Sequence, residues 1–132
     1  MAHWSEKWLG RDFVPGEHDC LHFVRDVLRV EFGVRVRIPV RDHPVRIRAM
    51  AREIAAGKGE VAMPMICDPD EGDGILMSPH GSTLGGSHIG IFAKPGDEPH
   101  VLHCVKDLGS VLWPLQGLDG RGWQVEGAYR WL

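Results

Sequence analysis

The hydrophobic pattern of this chain turns from mainly helical to strand-like at the turn-forming stretch Asp68-Pro69-Asp70-Glu71-Gly72-Asp73-Gly74. Before it, apolar residues recur at three- and four-residue steps, the spacing of helices. Leu21, Val24, Leu28 and Phe32 make one such face, closed by Gly33. A second helix is expected over roughly Pro44 to Ala56, with Val45, Ile47, Met50 and Ile54 on its buried side and Gly57 as its stop. After it, apolar residues come in short runs broken by Gly, Pro and Asp, the pattern of strands joined by tight connections. Ile75 to Met77, Ser87 to Ala93, His100 to Val105, Ser110 to Trp113 and Val125 to Leu132 read as strands, with Lys94 to Pro99 as a hairpin connection. Val34 to Val40 alternates apolar and basic residues and predicts a short extended edge segment. Helices first, then a meander of antiparallel strands, is an α+β arrangement.

At 132 residues the chain is expected to form one domain, 1–132, with a core that needs no staples. A net charge of −3 gives no basic footprint for nucleic acid or an anionic membrane surface. Three cysteines, Cys20, Cys67 and Cys104, cannot all pair and show no Cys-x-x-Cys spacing, so reduced thiols are expected. The first residues lack a basic stretch followed by an apolar run, and no segment approaches the length of a membrane span. The expectation is synthesis in the cytoplasm without a signal peptide or membrane insertion.

The chemistry centres on His18-Asp19-Cys20-Leu21-His22. Asp19 is a good N-cap, which puts Cys20 in the first turn of a helix, where free N–H groups and the helix dipole favour a thiolate. A thiol-based site also needs an imidazole within reach and a third group to orient it. His88, at the mouth of a strand, is the candidate base; His103 or His100, on the next strand, is the candidate orienting residue. Cys67 and Cys104 read as buried small hydrophobes, and Trp4, Trp8, Leu9 and Phe13 as an aromatic lead-in packed over the helix. His18, Cys20 and His22, or His100, His103 and Cys104, offer metal-ligand types, but their spacings match no common zinc pattern. His3, His43 and His80 read as loop residues.

The order Asp19-Cys20, Gly72-Asp73-Gly74-Ile75-Leu76-Met77, Ser87-His88-Ile89-Gly90-Ile91-Phe92 and Val101-Leu102-His103 resembles the NlpC family of papain-like cell-wall peptidases over about residues 8 to 115. The closing Glu126-Gly127-Ala128-Tyr129-Arg130-Trp131 is similar to the branch found in tailed phages and phage-like particles. The resemblance implies a papain-like, NlpC-type fold, N-terminal helices on a small antiparallel sheet. Carried over, Cys20 is the nucleophile, His88 the general base and acid, and His103 the orienting residue. His103 fits the family's apolar-apolar-His signature, whereas His100 fits the more usual distance from the base and stands second. His22 departs from the small residue usual there, Gly74 adds a residue after Gly-Asp, and Phe92 replaces a frequent tyrosine.

What the resemblance implies is hydrolysis of peptidoglycan stem peptides beside a D-glutamyl residue, with no metal or organic cofactor. Delivery in a phage or phage-like tail tip or hub, with other tail proteins as partners and the periplasm or cell wall as the place of action, follows as a further expectation. The alternatives are a structural tail-assembly protein that keeps the fold with slight or no activity, and an acyltransferase on the same scaffold.

Overall fold

The structure, a computed structural model, describes residues 2–14, 19–35, 62–64, 68–81 and 88–131, with 62–64 described through the backbone alone. The expected second helix, its stop at Gly57, and His18, His43 and Cys67 lie outside the described residues. Of the expected edge segment only Val34 and Arg35 are described, and neither is in a strand.

Helix α1 spans Cys20–Val27 and starts where the sequence places it. Asp19 is extended, and its carboxylate accepts from the N–H groups of Leu21 and His22, two donors that a first turn otherwise leaves unpaired. Leu21, Phe23, Val24 and Val27 are buried, and the chain continues through a π-helical turn, Leu28–Phe32. Gly33, in the left-handed region at φ 65°, ends it by donating to the Leu28 carbonyl. The aromatic lead-in forms a short 3-10 helix, Trp4–Trp8. Trp8 stands edge-on to Phe23 with ring centroids 6.0 Å apart and donates its indole N–H to Glu31; Trp4 stands edge-on to Phe32. His3 is no idle loop residue, since it caps this helix and reaches Glu71 through Nε2.

The strands are β1 (Ala62–Pro64), β2 (Gly74–Pro79), β3 (His88–Ala93), β4 (His100–Val105), β5 (Gly109–Pro114) and β6 (Trp123–Trp131). They form one antiparallel sheet in the order β1-β6-β2-β3-β4-β5. Alternation divides the core in two. Leu76, Ile89, Ile91, Leu102, Cys104 and Tyr129 face α1, while Ile75, Met77, Phe92 and Val101 form a second cluster with Leu118 on the other face. Gly74, the residue in excess after Gly-Asp, has a local reason: a Cβ there would come within 2.8 Å of the Trp131 ring. This is the expected α+β arrangement, a helix on an antiparallel sheet.

Candidate active site

The site is built where β3 and β4 part. Phe92 donates its N–H to Asp73, toward β2, so the alternation of a strand sends the N–H groups of Ile91 and Ile89 toward β4. The β3–β4 ladder begins only at Ile91 and Leu102. The N–H of Ile89 lies beyond its end and meets the thiol of Cys20 instead. The N-terminus of α1 therefore sits at the open end of the two strands, with the sulfur at the N–H of Ile89, the residue that follows His88.

Cys20 is 2% exposed. Its thiol is pushed up to about 12, first by burial and then by the Asp19 carboxylate and Cys104; the N–H groups of Ile89 and Leu21 oppose this only in part. The expectation that the helix start favours a thiolate is corrected here, because loss of solvent outweighs the dipole and the few donors available. Those donors are few for a clear reason. Asp19 takes the N–H groups of Leu21 and His22 on its side chain and that of Phe23 on its carbonyl.

His22 does not crowd the helix. Its Nδ1 lies 2.7 Å from Asp19 Oδ1, so the bulky ring folds back as part of the cap. Its Nε2 is buried with no hydrogen-bond partner among the described residues.

His88 and His103 stand on the sheet face turned away from α1. Gly90 lies between them. A Cβ at Gly90 would meet Val101 Cγ2 at 2.5 Å and His103 Cβ at 3.0 Å, so only glycine lets β4 approach this closely. Across that gap His88 Nε2 lies 2.8 Å from His103 Nδ1. His103 is fully buried, which pushes its imidazole down to about 4 and keeps it neutral over the ordinary pH range. Its Nε2 has no hydrogen-bond partner among the described residues, and its ring stands edge-on to Trp113 at 4.9 Å. His88 stacks on Trp123, centroids 4.6 Å apart at an interplanar angle of 32°.

Of the two candidates for the third residue, His103 is the one that meets His88. His100 pairs with Ala93 on the opposite sheet face, and its Nδ1 lies 2.8 Å from the Glu98 carbonyl. Cys104 is buried on the α1 side. Among the described residues, no group of three or more His, Cys, Asp and Glu side chains is gathered as a metal would require.

The two tryptophans against the histidines escaped the sequence reading. Trp113 and Trp123 look like ordinary strand residues until register sets them beside the imidazoles. No protein-family model and no curated protein sequence matches this chain.

Proposed function

We propose that this protein is a papain-like, NlpC-type cysteine peptidase that cleaves peptidoglycan stem peptides. The observation that carries the reading is the His88–His103 contact at the end of the β3–β4 ladder, where the Cys20 sulfur meets the N–H of Ile89. A neutral, buried His103 accepts on Nδ1 the proton held by His88 Nε2. That fixes the tautomer of His88 with a lone pair on Nδ1, the nitrogen available to take the thiol proton.

In the proposed reaction the Cys20 proton passes to His88 as sulfur attacks the scissile carbonyl carbon. The tetrahedral intermediate collapses with loss of the amine, which takes the proton from His88. Water, deprotonated by His88, then releases the acid and restores the thiol. With the thiol at about 12, proton transfer accompanies attack and no standing thiolate precedes it. The amides of Leu21, His22 and Phe23 already bond Asp19, so the oxyanion must draw on other donors around the opening.

A phage or phage-like tail tip or hub remains the proposed carrier. The competing reading, a tail-assembly protein with the peptidase fold and slight activity, is favoured by one observation, the 2% exposure of Cys20. Incubating purified muropeptides with the wild type and with Cys20→Ala tests the choice. Cleavage lost in the variant supports the peptidase; intact muropeptides with folded wild type support the assembly protein.

A further inference from the structure

We infer that Trp113 is a positioning residue of the site: its indole face takes the Nε2–H of His103 and so fixes which nitrogen of that imidazole carries the hydrogen. The inference deepens the peptidase reading and rests on it for the consequence in turnover. An uncharged His103 has one ring N–H, and its 2.8 Å contact with His88 allows two arrangements. In one, His88 Nε2–H donates to His103 Nδ1, and the hydrogen of His103 is on Nε2. In the other, His103 Nδ1–H donates to His88 Nε2. Only the first leaves a neutral His88 with a lone pair on Nδ1, ready to take a proton.

That first arrangement needs an acceptor for His103 Nε2–H. His103 is fully buried, and its Nε2 has no hydrogen-bond partner among the described residues. A buried donor left so would favour the second arrangement. The sheet supplies an acceptor of another kind. β4 lies between β3 and β5, so a ring on β4 whose Nδ1 reaches His88 on β3 turns its opposite edge, with Nε2, toward β5. Trp113 stands on β5 and pairs with Val101, two residues from His103, so it shares the sheet face of His103. The two rings are 4.9 Å apart between centroids at 75°, the edge-on geometry in which an N–H meets a π face. Trp123 stands farther from His103, at 6.4 Å, and lies against His88 instead. The guanidinium of Arg121, 4.9 Å from the Trp113 centroid, lies over the indole and holds it in place.

The test is long-range proton–nitrogen NMR correlation on full-length protein with isotope-labelled histidine, at neutral pH, with His103 assigned through His103→Asn. In the wild type the hydrogen is expected on His103 Nε2, its resonance moved upfield by the indole ring current. Trp113→Leu removes the face and is expected to shift the tautomer ratio about 10-fold or more toward Nδ1–H, the scale of a buried donor without an acceptor. Trp113→Phe keeps a ring face and should restore the wild-type tautomer. On muropeptides, kcat should fall with the tautomer ratio in Trp113→Leu at unchanged KM, and recover in Trp113→Phe. A wild-type hydrogen on His103 Nδ1, an Nε2–H resonance without the upfield displacement, or one tautomer in all three proteins overturns the inference. The first two are read on the wild type, so they decide even where Trp113→Leu does not fold. Any of these outcomes beside muropeptide cleavage by the wild type leaves the peptidase reading standing. The expected spectra without cleavage sustain the hold of Trp113 on His103 while that reading falls.

Discussion

His88 and His103, 15 residues apart in the chain, meet through Nε2 and Nδ1 at 2.8 Å across the gap that Gly90 leaves between β3 and β4. Both rings are shielded by tryptophans, Trp123 against His88 and Trp113 against His103. The pair is thus a buried unit whose second imidazole is held uncharged, and in the proposed mechanism it is the acceptor.

The role of His103 as acceptor predicts graded losses. His103→Asn keeps a polar side chain able to accept from His88 and should retain measurable turnover. His103→Leu leaves His88 Nε2–H without its acceptor and should lower kcat about 100-fold or more, the usual worth of a positioned base. Parallel kcat and KM measurements on muropeptides check this, with the loss expected in kcat.

Burial of His103 also predicts a dependence of stability on pH. Its folded pKa, about 4, lies below the unfolded value of 6.5. Between those values the unfolded chain binds the extra proton and the folded protein does not, so stability falls as pH drops from 6.5 toward 4. The full contribution is on the order of 3 kcal/mol. Urea unfolding over this range should show the slope in the wild type and a shallower one in His103→Leu.

Gly90→Ala inserts a methyl that meets Val101 Cγ2, His103 Cβ and the Leu102 carbonyl oxygen within 3.0 Å. Strand separation by this wedge should cost about 1–3 kcal/mol, as overpacked cores do. Equilibrium denaturation of the variant measures it, and its turnover should fall because the His88–His103 contact lengthens.

Asp19 carries two loads, the cap of α1 and the His22 imidazole. Asp19→Ala should therefore cost more than a cap alone, about 2 kcal/mol or more by thermal or urea unfolding. Asp19→Asn keeps an acceptor for the first turn and removes the charge that raises the Cys20 thiol. Its thiol should react faster with iodoacetamide at pH 8 than that of the wild type.

The parts of this fold set by local chemistry were readable from residues alone: the Asp19 cap, the Gly33 stop, and the hairpin from Lys94 to Pro99. The parts set by register were not. His100 and His103 lie on opposite faces of β4, and only the pairing of Ala93 with His100 decides which one shares a face with His88. Gly90 was the available signal, since a glycine in a buried strand marks a close approach, here that of His103. The register shift by which Leu76 pairs with Gly127 but Met77 with Val125 has no local signature, because it arises from how β6 fits β2. The state of the thiol is hidden from the sequence for a related reason. A helix start is visible in sequence, but the burial that pushes Cys20 up to about 12 is tertiary.

Cleavage of purified muropeptides by the wild type, set beside Cys20→Ala and His88→Ala, tests the central claim most directly. The account predicts release of stem-peptide fragments by the wild type and their loss, by at least about 1,000-fold, in both variants. Muropeptides left intact by folded wild type, or cleaved equally by Cys20→Ala, would contradict it.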